Sequence, residues 1–346
     1  MICSEKIPKK MHALVLHDIG KLTYEEINNY ELKPETVLVK IEYCSICSSD
    51  IERVFKTGTY HYPTIPGHEM AGKIVAVNDV NKDLLEKKAA IFPMLPCMKC
   101  EPCLNQEYAQ CDNYNYFGSR CDGGFAEYLL VPIWNLILLP AKLSCKIAAL
   151  CEPSAVALHA TNILKLKKGE KLAISGSGTI GLLIALFAKE QGAKVTIVGR
   201  NQNKLEIAKK LGYEILHTNS IPDNLNKYDK VIEAVGSNES INQAFKLVKT
   251  LGKIVLVGNP KENVLLDKNN YWKILRKQLI VTGSWNSSYS EKQNDWKEVL
   301  KYMNKNPKYF ESLITKEFLL EDNMKAFEYL IDKTKIKSKV VYKIGK

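Results

Sequence analysis

Arginine is nearly absent from this chain. Arg53, Arg120, Arg200 and Arg276 are the only four, although lysine and arginine together number 49. The net charge of +11 is therefore carried by lysines scattered along the whole length. No basic helix, aromatic RNA-binding pattern or finger spacing accompanies them, so the charge reads as a solvated surface rather than a nucleic-acid interface. Long hydrophobic runs are lacking too. The longest, at residues 180–188, is too short to span a bilayer, and no apolar segment of signal-peptide type follows Met1. Internal repeats and low-complexity linkers are also missing. A cytoplasmic protein with neither membrane nor nucleic-acid partner is the expectation.

Cysteine, by contrast, is plentiful. Without an export signal, ten cysteines point to a reducing compartment in which thiols are spent on metal. Cys97, Cys100, Cys103 and Cys111 follow the order C-x2-C-x2-C-x7-C. Four thiolates so close together suit a closed tetrahedral zinc site, not a disulfide framework. The lobe that carries them is placed at residues 93–115.

A chain of 346 residues has room for two cores. Its first part reads as short strands at 13–16, 36–44, 72–77, 89–92 and 127–131, punctuated by Gly and Pro. After about residue 155 the rhythm becomes alternating strand and helix. Strands are expected at 171–175, 194–198, 230–234 and 253–257, and helices at 181–191, 204–211 and 240–250. That alternation predicts a doubly wound parallel sheet. The tail, from about residue 291, ends on a strand at 338–344 that is placed to rejoin the first sheet.

Gly176-Ser177-Gly178-Thr179-Ile180-Gly181 fits G-x-G-x-x-G between a predicted strand and a predicted helix. In that context the glycines let the backbone approach a pyrophosphate at the helix N-terminus. The next strand ends Val198-Gly199-Arg200-Asn201, without the acid that grips a ribose 2′-hydroxyl in NAD enzymes. Arg200 offers a fork for a 2′-phosphate instead, so NADP is the expected cofactor.

Upstream stand Cys47-Ser48-Ser49-Asp50 and Gly67-His68-Glu69. A thiolate, an imidazole and carboxylates are the ligands of an open, catalytic zinc site. Cys44 and Cys47 also form C-x-x-C, but they sit among β-rich segments and not at the start of a helix in a βαβ unit, which argues against a redox pair.

In order along the chain, Cys47 to Asp50, Gly67-His68-Glu69, the four-cysteine lobe, Glu152-Pro153 and the 176–181 turn resemble the zinc-dependent medium-chain dehydrogenases, the alcohol and sorbitol dehydrogenase superfamily. Finer likeness, to galactitol-1-phosphate 5-dehydrogenases, is carried by Arg53-Val54-Phe55-Lys56, Phe117-Gly118-Ser119-Arg120, Gly123-Gly124-Phe125-Ala126-Glu127-Tyr128, Lys273-Ile274-Leu275-Arg276-Lys277 and Gly283-Ser284-Trp285. The resemblance implies a GroES-like catalytic domain at 1–155 and 291–346, with a Rossmann domain at 156–290 between its parts.

It further implies two zinc ions per chain, a homodimer or homotetramer, and reversible oxidation of a polyol or polyol phosphate to the ketose. Cys47, His68 and Glu152 would bind the catalytic zinc, with Glu69 as a fourth ligand or an exchangeable neighbour. The four lobe cysteines would bind the structural zinc. Ser49 would pass the hydroxyl proton onward, with water on Glu152 or Glu69 as another exit, because Ile51 and Glu52 stand where relatives carry a relay histidine. Asp50 would orient His68. Arg53, Lys56, His61 and Arg120 are candidates for a substrate phosphate, and Trp285 with Asn286 for a further wall or, for Trp285, plain core. An amino-alcohol or secondary-alcohol dehydrogenase, such as a threonine 3-dehydrogenase, is the alternative built on the same motifs.

Overall fold

Most residues of Thr36–Ser45 (β1) and Glu69–Val77 (β2) are apolar or small, and most are buried. Strands of that kind belong in the middle of a sheet. The computed structural model describes residues 2–332 and 334–345, with side chains at all of these except 222–224. It puts β1 and β2 side by side, antiparallel, in a sheet ordered Leu136–Leu138, Lys88–Ile91, β2, β1, Lys339–Lys343, Ile314–Leu319. Tyr128–Pro132 also pairs with β1. The C-terminal strand Lys339–Lys343 does rejoin this sheet, antiparallel to β1 with Val341 opposite Ser45. Contacts divide the chain into two compact units, Met1–Glu152 with Ser288–Lys346, and Pro153–Ser287.

In the first unit a short helix, Ser48–Glu52 (α1), leaves the end of β1 and continues into a wider π-type turn at Arg53–Thr57. The backbone N–H of Cys47 donates to Asp50 Oδ2 at 2.9 Å, closing the helix start. Gly67, just before β2, has a φ of +94°, and a Cβ there would lie 2.5 Å from the Phe125 ring. Its carbonyl accepts from Gly124 N–H at 2.8 Å, and a Cβ on Gly123 would come within 2.0 Å of that same oxygen. This backbone crossing fixes His68 and explains the Gly-Gly-Phe motif.

The second unit starts within the helix Cys151–Leu164 (α2) and holds Lys171–Ser175 (β3), Thr179–Glu190 (α3), Lys194–Gly199 (β4), Gln202–Lys210 (α4), Glu214–His217 (β5), Tyr228–Glu233 (β6), Asn238–Leu247 (α5), Val248–Leu256 (β7), Lys268–Arg276 (α6) and Ile280–Gly283 (β8). All six strands are parallel, in the order β5-β4-β3-β6-β7-β8. This is the doubly wound sheet expected, and its order reverses between β3 and β6.

One helix differs from the expected 240–250. It begins earlier because Ser237 Oγ accepts the N–H of Ser240 and caps it. It ends at Leu247 because Val248, fully buried, pairs with Tyr228 and starts β7. Pairing within the sheet overrides the helical propensity of that segment. Strands β5 and β8 and helices α2 and α6 were not among the elements given a range from the sequence.

Candidate active site

Cys47 caps α1, while His68 and Glu69 stand at the head of β2, and the end of β1 is paired to β2. Their ligand atoms lie within 4.8 Å of one another. His68 and Glu69 are buried. Asp50 is fully buried, and its Oδ1 lies 3.2 Å from His68 Nδ1, although not aligned for a regular hydrogen bond. Burial opposes charge on the imidazole, but the Asp50 carboxylate and Cys47 together hold His68 well above its ordinary value. Burial likewise opposes charge on Asp50, and His68 and Arg53 hold it below the usual carboxylate range. With Asp50 at Nδ1, Nε2 remains for a metal.

Glu69 has a partner that local motifs did not reveal. Lys339, from the terminal strand, is buried, and its Nζ donates to Glu69 Oε1 at 2.6 Å. Ser45 Oγ donates to Oε2 of the same carboxylate. Burial works against charge on Lys339, yet Glu69 raises it above the ordinary lysine value. Glu152 sits in the first turn of α2 and accepts from Tyr116 Oη at 3.2 Å. It is not one of the donors clustered within 4.8 Å, and burial pushes its carboxyl up to about 7. Neither Lys339 nor Tyr116 was singled out from the sequence. The signal for Lys339 was a lysine opening the apolar strand Lys339-Val340-Val341-Tyr342.

A thiolate, an imidazole and a carboxylate, three donors with a fourth position open, are a suitable donor set for catalytic zinc. The four-cysteine lobe is closed by comparison. Its sulfurs also lie within 4.8 Å of one another, and Cys100 Sγ is 3.8 Å from Cys111 Sγ. Zn–S bonds of about 2.3 Å in a tetrahedron require sulfur separations of about 3.8 Å. Backbone N–H groups of Lys99 and Cys100 draw the Cys97 thiol down, while burial pushes Cys103 up. Cys44 lies fully buried with its thiol pushed up by burial, an inert environment rather than that of a redox thiol.

In the second unit the 176–181 turn joins β3 to α3, whose N-cap is Gly178. A Cβ on Gly181 would lie 1.9 Å from Gly176 O, so the turn closes only with glycine there. Open space surrounds the place where a Gly178 side chain would stand, room that suits a pyrophosphate. Thr179 and Ile180 form the first helical turn. Gly199 ends β4, a Cβ there meeting Ser177 Oγ at 3.0 Å, and the exposed Arg200 follows with no ion pair among the described residues.

The remaining candidates separate. Arg53 Nη1 donates to Ser49 Oγ at 3.0 Å and lies 3.2 Å from Asp50 Oδ1, with its side chain 22% exposed. Lys56 is 64% exposed and pairs with Glu52 at 3.5 Å. The guanidinium of Arg120 is stacked between Tyr60 and Tyr114, 4.0 and 4.6 Å from their ring centres. His61 Nδ1 lies near Pro63 O and Thr64 Oγ1 within its own turn. Trp285 is 56% exposed, which removes its reading as core.

A β-rich unit with a thiolate–imidazole–carboxylate cluster and a four-cysteine lobe, joined to a doubly wound unit with a Gly-rich turn, defines the zinc-type dehydrogenases. Residues 33–141 match the alcohol dehydrogenase GroES-like domain, and residues 179–305 match the zinc-binding dehydrogenase family. The chain belongs to the zinc-type alcohol and polyol dehydrogenases of the medium-chain superfamily and is an oxidoreductase. It is 36% identical over 262 residues to galactitol 1-phosphate 5-dehydrogenase of Escherichia coli (strain K12), covering 72% of this chain and 76% of that one. Sorbitol dehydrogenase of Bacillus subtilis (strain 168) is 31% identical over 273 residues, 74% of this chain and 77% of the relative. The crystal structure of galactitol-1-phosphate dehydrogenase from Escherichia coli superposes with a TM-score of 0.87 at 31% identity, over 96% of this chain and 100% of that chain. Among the described residues, no helix is long and apolar enough to cross a membrane.

Proposed function

We propose that the chain oxidises a secondary hydroxyl of a polyol phosphate to the ketose phosphate, reversibly, with NADP as hydride acceptor and zinc at Cys47, His68 and Glu69. The buried cluster of these three side chains is the observation that carries the reading. A bound zinc would polarise the substrate hydroxyl, and a bound NADP would accept the hydride from carbon. The protein's own groups prepare that chemistry. Asp50 orients His68, while Lys339 and Ser45 hold the carboxylate of Glu69. Glu152 stands outside the cluster of three donors, beside Tyr116, and serves as a neighbour able to hold water rather than a permanent ligand.

Ser49 receives one N–H of Arg53 on its oxygen, so its own O–H is free to relay a proton. Arginine cannot accept that proton, and the onward path leaves by another group. The guanidinium N–H groups of Arg53 not facing Ser49 or Asp50 suit a substrate phosphate. Neither Lys56, engaged with Glu52, nor Arg120, engaged with two tyrosines, has the same support.

NADP preference rests on Arg200 and on the missing acid at the end of β4. Structural zinc belongs at Cys97, Cys100, Cys103 and Cys111, which gives two zincs per chain. A homodimer or homotetramer is supported by β8, an outer strand of its sheet whose Ile280 is exposed, and light scattering on the eluting protein reads the subunit number.

A panel of polyols, their phosphates and L-threonine, each with NAD and NADP, tests the reading. Polyol phosphate with NADP is expected to give the highest kcat/KM. Equal efficiency on free and phosphorylated polyol removes the phosphate assignment, and equal or better use of NAD removes the NADP assignment. Cys47→Ala should abolish turnover and lower the zinc content from about two to about one per chain.

A further inference from the structure

We propose that Glu233 is a positioning residue for the nicotinamide half of the dinucleotide. Glu233 ends β6, beside the point where the strand order reverses, and ligands of doubly wound sheets bind outside the carboxyl ends of the strands at that point. Its side chain is fully buried, and no basic group is paired with it among the described residues. A carboxylate so placed is costly unless it is fully hydrogen-bonded.

Its carboxylate is hydrogen-bonded, and the donors to that side chain all belong to the loop and helix that follow it. Oε1 accepts from Val235 N–H at 2.8 Å, Gly236 N–H at 3.0 Å and Ser240 Oγ at 2.7 Å. Its backbone carbonyl accepts from Val257 and Gly258 N–H, at 2.8 and 3.1 Å, in the loop after β7. The two loops are pressed together around it. A Cβ on Gly258 would lie 2.1 Å from Gly236 N and 2.7 Å from Glu233 Oε2. On its other side the 233–237 loop meets the Gly-rich turn, for Ala234 N–H donates to Ser175 O at 2.9 Å. Val235 Cγ2 stands 3.2 Å from the place of a Gly176 side chain. Val235 itself is half-exposed, an apolar side chain held outward beside that turn. At the same strand ends, Ser175 Oγ is buried without a hydrogen-bond partner.

Glu233 thus sets the shape of the wall next to the turn that would hold the pyrophosphate, without touching the adenylate end at Arg200. The inference rests on the dinucleotide reading of the 176–181 turn. Its test is calorimetric titration of Glu233→Gln with NADPH and with adenosine 2′,5′-bisphosphate, which lacks the whole nicotinamide half. NADH and AMP replace them if the wild-type chain takes NAD.

The dinucleotide Kd is expected to rise about tenfold and the fragment Kd less than about twofold. Equal weakening of both ligands, or of neither, overturns the proposal and leaves a purely structural carboxylate. If Glu233→Gln does not fold, Ser240→Ala removes one donor, keeps the carboxylate, and should split the two ligands in the same direction; an unsplit result there overturns the proposal equally. A wild-type chain that binds neither ligand overturns the dinucleotide reading itself, a result separate from the other two.

Discussion

At the scale of single residues, the pair Lys339 and Glu69 is the most consequential feature of the proposed zinc site. Breaking a buried ion pair by removing one partner costs about 3–5 kcal/mol, because the other charge stays buried and alone. Lys339→Met should therefore destabilise the metal-free protein by about that amount. Zinc beside Glu69 restores a positive neighbour, so the loss should be smaller in the metal-bound protein. Thermal unfolding of wild type and variant, each with zinc and with a chelator, measures the difference. A variant equally destabilised in both states would show that Lys339 acts on packing alone. Cys47, His68 and Glu69, which the fold brings together, lie in short local motifs and were legible as candidate donors, although the resemblance put Glu152 in the first three and Glu69 only fourth. Lys339 was not legible, because its role depends on the register that sets Val341 opposite Ser45 across the sheet. No periodicity within the tail reports that register.

At the scale of elements, the strands with long apolar runs were the readable ones. The segment at 171–175 is the strand Lys171–Ser175, and the Gly-rich turn lies where its sequence context placed it. Elements whose limits are set by distant partners were misread, as with Val248, which leaves the helix to pair with Tyr228. The crossing at Gly67 belongs to the same class. The motif Gly67-His68-Glu69 was visible, but the need for glycine arises from Phe125 and Gly123, more than fifty residues on. Gly67→Ala would put a Cβ 2.5 Å from the Phe125 ring at a φ of +94°. The expected cost is about 2–4 kcal/mol, from backbone strain plus overpacking. Urea unfolding should show a lower midpoint, and the displaced His68 should weaken zinc binding in parallel. Retained stability would mean that the ring moves aside cheaply.

At the scale of the whole molecule, the proposed zinc and dinucleotide sites fall in different units. Both donor clusters lie in the unit Met1–Glu152 with Ser288–Lys346, whereas the Gly-rich turn and Arg200 lie in Pro153–Ser287. Each unit has its own core, one around Ile41, Ile74 and Phe125 and the other around Val231, Ile254 and Phe245. A ligand that binds only the native state stabilises by RT ln(1 + [L]/Kd), about 2.7 kcal/mol at a hundred times its Kd. Zinc and dinucleotide should therefore act on different parts of the unfolding profile. Removing a zinc bound at the four cysteines would withdraw the ligand that ties that lobe together, and its binding free energy would be lost from the first unit. Calorimetry with a chelator should show that unit melting earlier, and NADPH added to the chelated protein should raise only the later transition. Limited proteolysis under the same conditions should cut first within 93–115 and spare Pro153–Ser287. A single transition that both ligands shift together would show the two units unfolding as one cooperative block.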